Sequence, residues 1–150
     1  MKTLCVFKLD PKATIPTRAN DTDAGVDLYA LEDTFIPVGY TKLVPTGIAV
    51  KIDKGYVGKV EDRSSMAKKG IRTGAGIVDA GYSGELGVVI HNLNNRTTRD
   101  SVLHFSGYQI KAGDKIAQLL IEKISLPKVK EVKILWKSKR GNNGFGSSGR

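Results

Sequence analysis

The sequence predicts an all-β domain, and three observations carry this prediction. Short runs of β-branched and other apolar residues recur along the chain, and turns rich in Gly, Pro, Asn and Asp separate them. No amphipathic helical period of any length is present in the sequence. The length of 150 residues fits one domain that can bury a real core. Many short strands favour a sandwich, a jelly roll or a small barrel.

The predicted strands share a short apolar or β-branched run that ends at a turn residue. They cover residues 4–9, 34–36, 41–44, 48–52, 56–61, 87–92, 101–105, 115–123 and 128–132. One short helix is predicted within residues 63–70, where a serine can cap the first turn and Gly70 suits a left-handed end. Its free N–H groups lie beside Arg63 and favour an anion site, although a well-capped surface turn explains the same pattern.

The basic charge belongs mostly to the end of the chain. Residues 128–150 hold seven of the Lys and Arg residues against one acid, so +6 of the net charge of +9 lies there. Such a tail can bind DNA, remain a solvated arm or reach a small polyanion, and charge alone does not choose among these. Because the rest of the chain is only weakly basic, a nucleic-acid partner is not expected.

The composition also gives an expected location. The single cysteine, Cys5, excludes an internal disulfide and fits a reducing compartment. The first ten residues carry charges and lack the apolar core of a signal peptide, and no later apolar run approaches membrane-spanning length. We therefore expect a cytoplasmic protein, or a nuclear one in a eukaryotic or viral setting, that is not secreted and has no membrane partner.

Two aspartates are candidates for chemistry. Asp79 follows two apolar β-formers and precedes a glycine-containing turn, so it is either a turn cap or a general base or metal ligand at a strand end. Asp27 lies between Val26 and Leu28, so strand alternation turns it to the opposite face. Its carboxylate there is either structural or a ligand of the kind that suits Mg²⁺. His91 and His104 lack partners at zinc spacing and are assigned no metal role.

Five segments in order resemble the motifs of the trimeric deoxyuridine triphosphatase family. They are residues 24–28 (AGVDL), 63–70 (RSSMAKKG), 76–85 (GIVDAGYSGE) with Asn92, 113–119 (GDKIAQL) and 140–149 (RGNNGFGSSG). Each motif alone is weak, whereas the ordered set spans most of the chain. The resemblance implies a dUTPase-type β jelly roll (β-clip), a homotrimer with shared active sites, and hydrolysis of dUTP to dUMP and pyrophosphate.

The same resemblance implies roles for the acidic groups and the phosphate ligands. Asp79 would orient or deprotonate the water that attacks the α-phosphorus and would also meet the sugar 3′-OH. Asp27 would hold Mg²⁺ through its water shell. The phosphate oxygens would be bound by Arg63, Ser64, Ser65 and Gln118.

The base and the sugar would be read by the third motif. By resemblance, Tyr82 packs on the deoxyribose and excludes a 2′-OH. The segment of residues 73–78 reads uracil through its backbone, as a β-hairpin around Gly76 that includes Ile77 and Val78. A tight backbone wall leaves no room for a 5-methyl group.

The last residues form a flexible C-terminal arm by the same reasoning. We expect a catalytic domain over residues 1–136 and an arm over 137–150 that closes over a neighbouring subunit's site. The resemblance places Phe145 on uracil, Arg140 on the γ-phosphate, and Ser147 and Ser148 near phosphate oxygens. Gly146, beside Phe145, belongs to the same substrate-binding stretch.

Several features leave alternatives open. Asp62 stands where proline or a small residue is usual and adds negative charge beside a phosphate site, and Thr73 stands where some relatives have an asparagine that touches the base. The long segment of residues 93–112 is expected to be an extended hairpin or surface loop. A dCTP deaminase of the same fold, a nucleic-acid-binding module and a regulatory protein are the competing hypotheses.

Overall fold

The computed structural model describes residues 3–94, 107–138 and 141–142, and over these ranges the all-β prediction is confirmed. The described residues form eleven strands and one helix of four residues. The strands are β1 (Cys5–Lys8), β2 (Val26–Tyr29), β3 (Thr34–Pro37), β4 (Thr41–Val44), β5 (Ile48–Lys51), β6 (Tyr56–Glu61), β7 (Ile71–Gly74), β8 (Ile77–Val78), β9 (Val88–Asn92), β10 (Gly107–Ile110) and β11 (Lys115–Lys123), and the helix α1 is Ser64–Ala67.

The strands pair into four antiparallel sheets. The largest has the order β2-β11-β6-β8, and a three-stranded sheet has the order β4-β9-β7. Two further pairs are β1-β5 and β10-β3. Since neighbours in each sheet are distant in sequence, the fold brings widely separated segments side by side.

One hydrophobic core joins the sheets. Leu28, Ile36, Val88 and Ile90 are fully buried, and they come from strands of three different sheets. The buried Asn92 donates to the Ile36 carbonyl oxygen at 3.0 Å, so this polar side chain is satisfied within the core. Burial of these side chains is the main stabilising term for such a domain.

The connection from β7 to β8 differs from the predicted hairpin. β7 pairs with β9, whereas β8 pairs with β6 in the other large sheet. Residues 74–76, from the last residue of β7 to the residue before β8, therefore form a corner between two sheets, and the two strands have separate partners. At this corner the Val60 N–H donates to the Gly76 carbonyl oxygen at 2.7 Å.

The predicted strand at residues 128–132 is wrong. Residues 124–138, all of them described, contain no helix or strand, and the Val129 side chain is fully exposed. The apolar residues there have β propensity, but a strand also requires a hydrogen-bonded neighbour, which the described part of this chain does not supply. The predicted strand at 101–105 and His104 lie outside the described residues.

Other differences concern short elements. Strand β10 was not predicted. Strands β2, β7 and β8 were expected only as the strand around Asp27 and the hairpin of residues 73–78, without bounds, and β8 has only two residues. The helix begins after Arg63 without a side-chain cap, so the predicted serine cap is wrong, while Gly70 takes the predicted left-handed conformation with φ of 73°. No helix within the described ranges has the length and apolar character needed to cross a membrane.

Candidate functional site

Three strands bring the phosphate-side residues together. In the order β2-β11-β6, Gln118 lies opposite Asp27 on one side and opposite Glu61, the last residue of β6, on the other. Arg63 follows β6 two residues later. The first, second and fourth segments singled out in the sequence thus meet on neighbouring strands of the largest sheet.

Asp27 is held by two cations. Its Oδ1 accepts from Arg63 Nε at 3.1 Å, and its Oδ2 accepts from Lys115 Nζ at 2.7 Å. The Asp27 side chain is only 16% exposed, so these pairs are shielded more than surface pairs are. The hydrogen bond to Asp27 raises the pKa of Lys115, which keeps the ammonium charged. The cluster carries a net positive charge.

This cluster borders an open polar pocket of about 590 Å³. Arg63, Ser65, Lys69 and Lys115 line the pocket, and Asp27 reaches it through its two partners. Arg63 is fixed further by donation from Nη1 to the Lys115 carbonyl oxygen at 2.9 Å. Three cationic side chains around one cavity suit a multiply charged anion.

The two serines and the glutamine take different positions at this pocket. Ser64 and Ser65 are exposed at the start of α1, and Ser65 lines the pocket. Gln118 donates from Nε2 to the Asp62 carbonyl oxygen at 2.8 Å, which ties β11 to the end of β6. A Cβ atom at position 25 would lie 3.0–3.2 Å from atoms of the Gln118 side chain, so the glycine there leaves enough space for Gln118.

The residues predicted to read the base and the sugar, called the base-side residues, line a second pocket of about 270 Å³. Ile77, Val78, Asp79 and Tyr82 are among its lining residues. Asp79 follows the end of β8, and its carbonyl oxygen accepts from Tyr82 N–H at 3.0 Å in a turn. This turn sets the carboxylate and the ring on the same cavity.

Tyr82 has one fixed end and one free face. Its hydroxyl donates to the Glu85 carbonyl oxygen at 2.8 Å, while half of the residue remains exposed. The Glu85 carboxylate in turn accepts from Gly47 N–H at 2.7 Å. A ring that is anchored at the hydroxyl and exposed on its face is suited to packing against a flat or apolar group.

The corner between β7 and β8 has a tightly specified backbone. A Cβ atom at Gly76 would lie 2.5 Å from the Val60 carbonyl oxygen, and Ala75 adopts a positive φ of 48°. Gly74 similarly faces the His91 ring. The glycines predicted to allow approach of a ligand are thus required by contacts within the chain.

A substitution tests this explanation of the corner. We expect Gly76→Ala to lower the free energy of unfolding by about 1–3 kcal/mol, because the methyl group must push the corner away from β6. Chemical denaturation measures the effect. The matched control is Gly81→Ala, where a Cβ meets nothing within 4 Å, and its unfolding should change little. A Gly76→Ala protein as stable as the parent would contradict the explanation.

Asp62 has a role that the sequence did not indicate. Its Oδ1 accepts from the backbone N–H of Thr73 at 2.6 Å and from the Thr73 hydroxyl at 2.9 Å, and its carboxylate also pairs with Arg72. Burial opposes ionisation of Asp62, but these partners outweigh it, and the pKa of the carboxyl lies below its ordinary value of 3.8. The sequence left open whether Thr73 contacts the base, and in the structure its hydroxyl and its backbone N–H both bind Asp62.

The structure does not unite all the predicted site residues. The base-side and phosphate-side pockets of this chain share no lining residue. Arg140, Phe145, Gly146, Ser147 and Ser148 lie outside the described residues, so their predicted roles stay predictions. The predicted boundary between residues 136 and 137 also stays a prediction.

Sequence reasoning missed Lys115 as a member of the site. It lies within a quoted motif, but the ladder shifts register between Lys115 and Ala117, so simple alternation could not orient its side chain. The sequence feature that could have indicated its role is its position at the start of a long strand, directly after a Gly-Asp turn. His91 Nδ1 lies 2.6 Å from the Thr41 hydroxyl.

The donor set allows a water-mediated cation better than a directly bound one. No group of three or more His, Cys, Asp or Glu side chains suited to a metal occurs among the residues that the structure describes. An ionised carboxylate has about four acceptor sites, and the ion pairs of Asp27 use two of them. Asp27 therefore retains the capacity to accept from a metal-bound water.

Comparisons with known proteins agree on one family. A family model described as dUTPase matches residues 11–149. The deoxyuridine 5′-triphosphate nucleotidohydrolase of Mycolicibacterium gilvum (strain PYR-GCK) is 42% identical, with 97% of this chain and 94% of that protein covered.

Two solved structures extend this agreement to the fold. The Staphylococcus bacteriophage 80alpha dUTPase with dUPNHPP matches with a TM-score of 0.84 and 32% identity over 100% of both chains. A mutant of the dUTPase from phage phi11 of S. aureus, described with a structural Mg(II) ion, matches with a TM-score of 0.79 and 32% identity, covering 90% of this chain and 99% of that one.

Proposed function

This chain belongs to the dUTPase family and has its jelly-roll fold, and from this premise we propose that it hydrolyses dUTP to dUMP and pyrophosphate by attack of water on the α-phosphorus. The observation that carries the proposal is the pocket in which Asp79 and Tyr82 lie beside the backbone of Ile77 and Val78. The bound dUPNHPP of the phage relative supports a deoxyuridine triphosphate as the substrate.

Asp79 is the proposed base. Its carboxylate follows the end of β8, and the ladder of β8 with β6 fixes the backbone before it. A positioned carboxylate orients a water and takes its proton, and phosphoryl transfer depends mainly on such positioning. Tyr82 packs on the deoxyribose with its exposed face, and the corner of residues 74–76 reads the base.

The phosphates belong to the other pocket. Arg63 and Lys115 offer positive charge there, and Ser65 offers a hydroxyl. Ser64 and Gln118 are assigned to the same group from the sequence. Because Asp27 accepts hydrogen bonds from both cations, it also fixes the positions of the Arg63 guanidinium and the Lys115 ammonium.

We assign Mg²⁺ to the phosphate side, with Asp27 holding it through water. When bound with the nucleotide, Mg²⁺ supplies positive charge that offsets the triphosphate and the leaving pyrophosphate. The spare acceptor capacity of Asp27 supports this assignment. The Mg(II) ion described for the phage phi11 protein is a structural one and does not bear on this position.

The proposed assembly is a homotrimer with shared active sites. Within one chain the base-side and phosphate-side residues line separate pockets, which is consistent with an active site shared between copies. Exposed apolar residues in the strand-free segment 124–138, Ile134 and Trp136 among them, are consistent with a surface covered in the assembly. Sedimentation analysis measures the stoichiometry directly.

A product assay separates the competing functions. Incubation with dUTP and Mg²⁺ should give dUMP and pyrophosphate, and incubation with dCTP should release no ammonia. Ammonia release from dCTP would favour the deaminase. Strong, salt-sensitive DNA affinity without dUTP turnover would favour the nucleic-acid-binding module.

A further inference from the structure

Asp62 connects two strands that belong to different sheets. It directly follows β6 in the four-stranded sheet, and its side chain binds Thr73 in β7 of the three-stranded sheet. β7 is an edge strand of its sheet, so its backbone groups pair with a neighbouring strand, β9, on one side only. Asp62 accepts the Thr73 N–H, and without it this edge donor would lose its partner in the chain.

The corner after Thr73 is therefore held to β6 at both ends. At its start, Asp62 binds Thr73; at its end, the Val60 N–H donates to the Gly76 carbonyl oxygen at 2.7 Å. Between these ties lies Ala75 with its positive φ. Two anchors, Val60 in β6 and Asp62 directly after it, fix the backbone groups of a short corner.

We propose that Asp62 is a positioning residue for base recognition, which holds Thr73 and thereby fixes the corner of residues 74–76 against which the base is read. This inference rests on the proposed function, because it takes the corner as the uracil-reading segment. Asp62 itself touches no substrate. It acts through Thr73.

The Thr73 hydrogen bonds carry this role more than the ion pair does. The Asp62 side chain is 19% exposed, whereas that of Arg72 is 55% exposed, so solvent weakens the Arg72 contribution. Two hydrogen bonds to a shielded carboxylate are stronger than neutral ones. Since the pKa of Asp62 is lowered, the carboxylate stays charged at neutral pH.

Asp79 does not depend on this anchor. The pairs Gly58 with Val78 and Lys59 with Ile77 hold β8 to β6 directly. Loss of Asp62 should therefore disturb the corner that reads uracil and leave the catalytic carboxylate of Asp79 in place. The expected signature is a change in KM and in base discrimination, with kcat nearly retained.

The experiment measures kcat and KM for dUTP and dCTP in four variants. For Asp62→Ala we expect KM for dUTP to rise about tenfold, which corresponds to the loss of about one hydrogen bond to a charged group. The kcat for dUTP should stay within about threefold of the parent value, and discrimination against dCTP should weaken. Asp62→Asn keeps an acceptor for Thr73 and should restore most of the affinity. Thr73→Val removes only the hydroxyl and should raise KM for dUTP by less than Asp62→Ala does.

The matched control is Asp33→Ala. Asp33 also accepts a backbone N–H, from Ala112 at 2.9 Å, and also pairs with a lysine, Lys111, at 2.7 Å. Its loss should leave KM unchanged. The proposal would be overturned if Asp62→Ala had the same KM as the parent. It would also be overturned if the melting temperature and kcat fell while KM and discrimination stayed intact. If Asp62→Ala fails to fold, an unchanged KM in folded Thr73→Val overturns it.

Binding of dUMP, measured by calorimetry, distinguishes this proposal from the proposed function. A parent protein that binds dUMP without hydrolysing dUTP contradicts the function, and the Asp62 variants are then compared by their affinity for dUMP. In that case weaker binding by Asp62→Ala, restored in Asp62→Asn, supports the positioning role. A parent protein that neither binds dUMP nor hydrolyses dUTP overturns both.

Discussion

Replacing Asp79 by asparagine is expected to lower kcat for dUTP by a factor of about 10²–10⁴. Asparagine preserves the size of the side chain but offers no basic oxygen to take the proton of the attacking water. KM should change far less, because Tyr82 and the corner still line the pocket. Steady-state release of pyrophosphate measures both constants.

The control for this variant is Asp33→Asn, which alters an exposed aspartate between β2 and β3. Its turnover and its melting temperature should match the parent. Equal rates for Asp79→Asn and the parent would remove Asp79 from the role of base. An Asp79→Asn protein that has lost its fold would show a collapsed melting transition and no dUMP binding.

Deletion of residues 139–150 is expected to lower turnover by about two orders of magnitude or more while the domain stays folded. By the family resemblance this arm supplies Arg140 to the γ-phosphate and Phe145 to the uracil face, so its loss removes charge stabilisation and positioning together. Melting temperature and pyrophosphate release are measured side by side.

A point variant refines the deletion. Phe145→Ala should weaken dUTP binding by about 1–3 kcal/mol, the range found for stacking of a base on an aromatic ring. Because stacking tolerates any base, discrimination between dUTP and dCTP should persist. A truncated protein with full activity would show that the arm contributes nothing to the reaction.

The all-β class was predictable because strand signals are local. The runs at 41–44, 56–61 and 115–123 were placed at their observed bounds, since each contains several β-branched or other apolar residues. Residues 128–132 carry the same local signal but lack a partner strand in the described chain. β7 and β8 contain or adjoin glycines, and their pairing with two different sheets has no local signal.

The site was predictable as a set of motifs but not as a set of contacts. Asp79 and Tyr82 are close in sequence, so a turn could bring them to one pocket. Asp27, by contrast, meets Arg63 and Lys115 across 36 and 88 residues, and only the sheet order brings them together. Asp62 was interpreted as extra charge near the phosphates, whereas Thr73 and Arg72 bind it on the other side of β6.

The most direct test of the proposed reaction is the fate of oxygen from the attacking water. The parent protein is incubated with dUTP and Mg²⁺ in ¹⁸O-labelled water, and the products are analysed by mass spectrometry. Attack on the α-phosphorus predicts one labelled oxygen in dUMP and none in the pyrophosphate. Label in the pyrophosphate, or deoxyuridine diphosphate and inorganic phosphate as the products, would contradict it.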